Sequence, residues 1–402
     1  MSKKRVMILG AGPFQVPAIR KAVSLGLHVI TVDYLPDNIG HRYSHQYVNC
    51  STTDREGVLR AARQLGIDGI CTFSSDVAIP TVAYVSRCLG LPGTASDVAE
   101  TMAYKQLFRS FLREKGLPCP AFITAPSSRS AREEMKRLRF PIVVKPVDTS
   151  GSRGISKVPH YDPSAIDNAL NHAMNFSHSG KACIEEYIHG TEVGGDGFLH
   201  EGRFSFIAVT HKHMNGFIVT GHSMPASISG SDQERVRNIL EACCNALGYC
   251  DGPLNFDVMI TPDQVFILEM SARNGGNGIP AVIFRAVGVD VEVMTIRYAL
   301  GDHSRPFSPG RDDKGAGSYI FGSAMGGMLK HISGLDDLQA EIPEVFDLFL
   351  ATPIGDEVKP FTHNGNLIGY ALFDCSSSGA YESIAERIEK AIRLEVSAVR
   401  TQ

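Results

Sequence analysis

Asn255 to Gly276 reads N-F-D-V-M-I-T-P-D-Q-V-F-I-L-E-M-S-A-R-N-G-G, a β-hairpin with one acid on each strand. Asn255, Asp257 and Met259 alternate with Phe256, Val258 and Ile260, so one face is mostly polar and the other apolar. Thr261-Pro262-Asp263-Gln264 supplies the turn, because Pro fixes φ and Asp favours turns. Val265 to Leu268 is the apolar return strand and ends on Glu269. Antiparallel pairing brings Asp257 beside Glu269. Two adjacent carboxylates repel unless a cation lies between them, and a hard cation such as Mg2+ takes oxygen ligands of this kind. Arg273 follows closely enough to meet an anion held by that cation. The bland alternative is a hairpin carrying two solvated acids.

The 402 residues suffice for about two to four lobes. A hydrophobic content of 43% and a charged content of 20% match an ordinary globular chain. The net charge of −4 argues against a nucleic-acid surface. Behind the basic start Ser2-Lys3-Lys4-Arg5, the apolar run Val6 to Leu9 is too short for a signal or a membrane span. The nine cysteines show no C-x-x-C pair, which disfavours disulfide and zinc frameworks and predicts reduced thiols in a cytoplasmic protein.

The first ninety residues alternate strand and helix, which predicts a parallel sheet covered on both faces. The expected elements are strand Arg5–Leu9, helix Pro13–Gly26, strand His28–Val32, helix Arg55–Leu65, strand Gly69–Phe73 and helix Val77–Leu89. Ligands gather at the C-termini of such strands, here Gly10, Asp33 and Phe73 to Asp76. Connector helices follow over Asp97–Ala103 and Tyr104–Lys115. A small α+β lobe comes next, including a helix Ser130–Leu138 and a helix Pro163–Asn175. Longer strands dominate from Glu192, and helices follow over Ile279–Val287 and Val291–Leu300. In the tail, Asn364-Gly365 predicts a hairpin turn, and a last helix is expected over Ala380–Val399.

Four further segments carry chemistry. Gly10-Ala11-Gly12-Pro13-Phe14-Gln15 opens a helix and offers backbone amides to an anion, but Gln15 breaks the dinucleotide fingerprint G-x-G-x-x-G. Tight-turn packing explains the two glycines equally well. Val143-Val144-Lys145-Pro146 leads into Thr149-Ser150-Gly151-Ser152-Arg153-Gly154, where small residues let amides approach phosphate oxygens and Lys145 adds a point charge. Lys105 could supply a second cation or be an exposed helix lysine. Cys183 to Glu192, C-I-E-E-Y-I-H-G-T-E, ends an apolar strand in acids; its edge could read a base, or the charges could protect an edge strand.

Taken in order, these segments resemble the ATP-grasp superfamily, specifically its carboxylate–amine ligase branch with biotin carboxylase and amino-acid ligases among its members. The resemblance covers about residues 4 to 300 and rests on the motifs just quoted. It implies an α/β ATP-grasp fold: a Rossmann-like domain over 1–95, a helical connector over 96–120, a small lid lobe over 121–190, a large lobe over 191–305 and a C-terminal α+β lobe over 306–402. It implies that Lys105 and Lys145 hold ATP phosphates under a loop formed by Ser150, Gly151, Ser152 and Gly154. Glu185 would meet the adenine amino group, the backbone of Glu186 and Ile188 would bracket the ring, and Glu192 would take the ribose. Asp257, Glu269 and Ser271 would bind two Mg2+ ions, with Mn2+ as an alternative. Ser271 departs from the usual E-x-N-x-R pattern, and Asn274 could stand in for it. Arg273 would steady the acyl phosphate, with Arg273 and Lys145 as the catalytic pair.

Substrate contacts are expected from Ser75, Asp76, His222, Gly276 and Asn277, in addition to Arg273. His222 could equally be a structural histidine between strands. The implied activity joins a small-molecule carboxylate to an amine through an acyl phosphate, releasing ADP and phosphate, with no nucleic-acid or membrane partner and with room for a homodimer. Three alternatives stand beside it. A purine-pathway-type relative would use bicarbonate or formate. A non-catalytic module would bind ATP without consuming it. An NAD-dependent dehydrogenase would place its cofactor on the first domain, against the broken glycine pattern.

Overall fold

The computed structural model describes residues 3–125, 134–302 and 315–397. Its first sheet is parallel, in the order Gln46–Asn49, His28–Asp33, Arg5–Leu9, Gly69–Thr72. Val6 to Leu9 are fully buried there, as a strand covered on both faces requires. Helix Arg55–Leu65 is capped by the Asp54 side chain on the Gly57 N–H and closed by Gly66 at φ +57°. The edge strand Gln46–Asn49 was not expected; it is mostly exposed and polar, so it carries no apolar alternation.

The second sheet is antiparallel, in the order Phe122–Ala125, Ala182–Glu186, Ile142–Pro146, Ser156–Val158. Helix Pro163–Phe176 seals it with Ile166, Leu170 and Ala173 packed on Ile142, Val144 and Ile184. Of the helix expected over Ser130–Leu138, residues 130–133 lie outside the described residues. So do residues 303–314, where the last two expected lobes would meet.

The third sheet has eight antiparallel strands. The hairpin Gly252–Ile260 and Val265–Ser271 forms one end. Thr191–His200, Arg203–Asn215 and Ile218–Met224 continue it, and Ala316–Phe321, Gly369–Asp374 and Val345–Leu350 complete it. Strands of the tail therefore extend the sheet that carries the acids. The seam depends on Gly221, where a methyl group would strike the Ser318 carbonyl oxygen and the Tyr381 hydroxyl. Gly221→Ala should lower stability by about 1–3 kcal/mol through overpacking. Urea titration would read this as a lower midpoint, against Gly230→Ala, whose added carbon meets nothing, as the control.

Two tail expectations are corrected. Asn364-Gly365 lies in a 3-10 turn, Asn364–Asn366, and the strands that flank it, Glu357–Val358 and Gly369–Asp374, belong to different sheets. Tertiary bonds set that conformation, since the Asn364 amide donates to the Val219 carbonyl at 2.7 Å. The final helix spans Ser378–Ala391, after which Arg393–Ser397 pairs with Gly327–Ser333. The expected end at Val399 lies outside the described residues. No helix among them is long and apolar enough to cross a membrane.

Candidate active site

A cleft of about 1230 Å³ opens where the three sheets converge. The lid loop Ser150–Arg153 and the strand end Glu185–Ile188 line one side. Asp257 and Glu269 form its floor, Phe14 and Tyr34 come from the segments that follow strands Arg5–Leu9 and His28–Asp33, and Leu367 comes from the tail. Its volume exceeds the usual range for one drug-sized ligand, roughly 300–1,000 Å³.

On the floor, Asp257 pairs with Glu269 in the ladder. The register slips at the next residue, so Leu268 has no partner and the return strand bends there. Each acid faces a lysine. Lys212 Nζ lies 2.9 Å from Asp257 and 2.6 Å from Glu192, and its side chain is only 8% exposed. Burial alone would lower the Lys212 pKa, but Asp257 and Glu192 outweigh it and push it up. Lys105 Nζ donates to the Thr149 carbonyl at 2.8 Å and to Glu269 at 3.3 Å, tying the lid loop to the hairpin.

Arg273 is the centre of a buried relay. Its Nε and Nη2 donate to Asp76 Oδ1 at 2.9 and 2.5 Å, and its Nη1 donates to Asn255 Oδ1 at 2.8 Å. Burial favours the neutral Asp76, but Arg273 and the Ser271 hydroxyl hold its carboxyl below the usual range. Asn255 Nδ2 donates in turn to Asp196, which also accepts from the Gly275 N–H at 2.8 Å. Asp196 is fully buried, and burial pushes its pKa up to about 7. Ser74 binds the same loop, its N–H reaching the Asn274 carbonyl and its hydroxyl the Gly275 carbonyl. The first sheet and the hairpin thus fix Arg273 jointly.

The lid side has a second buried network. Glu185 accepts from Arg109 Nε at 2.8 Å and pairs with Lys145 at 2.8 Å. Burial would raise the Glu185 pKa, but Arg109 first and Lys145 second bring it down to about 2. Both carboxylate oxygens are thereby engaged, and Glu185 borders the cleft with its charge already shared by Arg109 and Lys145. Glu186 faces Arg139, with its N–H on the Ala121 carbonyl, while Ile188 lies on the cleft wall.

Other expectations are corrected as well. Ser271 is 1% exposed and donates its hydroxyl to Asp76, so it is withdrawn from the acids. Asn274 is fully buried, and its side-chain Oδ1 accepts from the Thr295 hydroxyl. Ser74 and Asp76 line the cleft, whereas Ser75 does not. His222 borders it but is 1% exposed and bonded to Thr210, and burial brings its pKa down to about 3, the behaviour of a structural histidine. Gly276 and Asn277 do line the cleft. The glycine turn at Gly10–Gly12 is filled by Gln15, whose amide donates to the Phe73 carbonyl at 2.5 Å. Asp33 accepts from the N–H groups of Ala11 and Leu35 and from the Asn38 amide, and it borders the cleft.

Sequence reasoning missed Arg109 and Asp196, and it placed Lys212 only at the start of a substrate-contact run, Lys212 to Pro225. Arg109 had a signal, since Lys105 and Arg109 are spaced to share one helix face. Asp196 had none, because an acid flanked by glycines in the run Thr191–His200 looks like an outward-facing residue.

Comparison with known proteins fits this geometry. The ATP-grasp domain family matches residues 138–281, and L-amino acid ligase C-terminal domain 2 matches residues 320–397. The formate-dependent phosphoribosylglycinamide formyltransferase of Rhodococcus jostii is 26% identical over 79% of this chain and 79% of its own. The crystal structure of the L-amino acid ligase from Bacillus licheniformis superposes with a TM-score of 0.81 at 21% identity, covering 99% of this chain and 100% of that one. The biotin carboxylase domain of Hydrogenobacter thermophilus 2-oxoglutarate carboxylase, solved with MgADP and bicarbonate, gives 0.74 at 15% identity over 98% and 91%. Fold and cleft define the class: this chain carries an ATP-grasp domain with an L-amino acid ligase C-terminal domain behind it. It shares its fold with ATP-grasp enzymes that include an L-amino acid ligase and a biotin carboxylase domain.

Proposed function

We propose that the protein condenses the carboxylate of one amino acid with the amine of another, with ATP cleaved to ADP and phosphate. The observation that carries this is the single cleft shared by the lid loop, the acid hairpin, the first sheet and the tail, with volume beyond one ligand. The C-terminal domain match favours amino acids over bicarbonate or formate.

In the first step a carboxylate oxygen bonds to the γ-phosphorus of ATP, and the bond to the bridging oxygen breaks to release ADP. Such transfer needs alignment and charge neutralisation more than covalent help. Lys145, held by Glu185, and Lys105, held by the lid loop, bring positive charge to the triphosphate. The backbone amides of Ser150–Gly154 close over it, and Gly151 and Gly154 allow that path because both adopt positive φ. Glu192 is the acid for the ribose. A divalent cation, Mg2+ or Mn2+, fits the floor, where Glu269 is the less committed of the two acids; bound there it would neutralise phosphate charge. In the second step the amine nitrogen bonds to the acyl carbon, loses a proton, and phosphate leaves. Arg273 presents a planar fork to the acyl phosphate, and Asp76 and Asn255 fix its plane. Nine free thiols suit a reducing compartment such as the cytoplasm.

The test is ADP release with Mg-ATP against amino acids singly and in pairs, with mass spectrometry of the products. A product weighing the sum of two amino acids minus water supports the reading. ATP binding without turnover by any pair would sink it.

A further inference from the structure

The chemistry of the floor is unusual in its cations rather than its acids. Asp257 and Glu269 are its two carboxylates, and among the described residues no group of three His, Cys, Asp or Glu could hold a metal. The oxygens that could complete a two-ion site are spent elsewhere. Ser271 donates to Asp76, Asn274 Oδ1 accepts from the Thr295 hydroxyl, and Asn255 Oδ1 accepts from Arg273.

The two acids are not equivalent. Glu269 is 33% exposed, and its only ion pair among the described residues is the longer one, 3.3 Å to Lys105. Lys105 also has the Thr149 carbonyl and can turn to phosphate without being stranded. Asp257 is bound at 2.9 Å by Lys212, which is nearly buried and also holds Glu192. An ion on Asp257 would have to displace a nearly buried ammonium, leaving it with Glu192 alone as counter-charge. An ion that left Lys212 in place would be repelled by it at close range.

We propose that the loaded cleft holds one divalent cation, on Glu269 and the nucleotide, and that the Lys212 ammonium takes the place of a second ion beside Asp257. This rests on the nucleotide reading above and refines it: Lys212 is a built-in counter-charge that ties Glu192 to the hairpin.

The test counts Mn2+ bound to the full chain by electron paramagnetic resonance in the presence of the non-hydrolysable analogue AMPPNP. One ion per chain is expected in the wild type. Lys212→Met frees Asp257, and the count should rise to two. Should that variant misfold, Asp257→Asn should still bind one ion with affinity within about threefold of wild type, whereas Glu269→Gln should lose it. Two ions in the wild type, an unchanged count in a folded Lys212→Met, or loss of the ion in Asp257→Asn would each overturn the proposal. Failure of AMPPNP itself to bind is a different result, which removes the nucleotide reading and this inference with it.

Discussion

Arg273→Ala is expected to abolish product formation, with kcat falling by about 10³-fold or more, while ATP still binds. Loss of one donor to developing charge costs roughly 10²–10³ in rate, and Arg273 offers two donors in a fixed plane. The substitution also has a structural cost. It leaves Asp76, which is 6% exposed, without its guanidinium, and it removes a donor from Asn255. Breaking such a buried pair destabilises by about 3–5 kcal/mol. Arg273→Lys separates the two effects: the charge remains beside Asp76 but the fork is lost, so stability should recover more than rate does. Kinetics at saturating ATP and urea titration on both variants provide the check. A near-normal kcat in Arg273→Ala would remove Arg273 from the chemistry.

The hairpin was legible because its signals are local. Alternation gave the strands, Pro262 the turn, and the antiparallel pattern the meeting of Asp257 with Glu269. The parallel sheet was legible for the same reason, since Val6 to Leu9 and Gly69 to Thr72 are continuous buried runs. What could not be read was how side chains bond over long separations. Ser271 reaches Asp76 across 195 residues, and Arg109 reaches Glu185 across 76, so no pattern within either segment reveals the pair. The Asn364-Gly365 turn failed for a related reason, because a buried bond to Val219 overrode its local preference. The family pattern carried the positions of Lys105, Lys145, Asp257 and Glu269 to the cleft. It did not carry Lys212 as the partner of Asp257, or Arg109 as the partner of Glu185.

The second large effect concerns the network behind Lys145. Arg109 is fully buried, and besides Glu185 it donates to the carbonyls of Ile267 and Leu268, so one guanidinium joins the lid strand to the acid hairpin. Arg109→Met should cost about 3–5 kcal/mol, because Glu185 stays buried with only Lys145 as a counter-ion. The pH dependence supplies an independent reading. The Glu185 pKa falls from its ordinary 4.5 to about 2 in the folded chain, so its contribution is present above pH 4.5 and is lost as pH drops through 2. That contribution is on the order of 3 kcal/mol. Removing Arg109, the larger of the two influences, brings the folded pKa back toward 4.5, and the acid limb of stability should flatten between pH 4.5 and 2. Function should follow structure at one remove. With Arg109 gone, Glu185 draws Lys145 more tightly, so KM for ATP should rise several-fold while kcat at saturation changes less. Urea midpoints measured from pH 7 to pH 2, with KM for ATP at neutral pH, test both halves. An unchanged acid limb in a folded Arg109→Met would show that Lys145 alone holds the Glu185 charge and that the guanidinium serves the Ile267 and Leu268 carbonyls only.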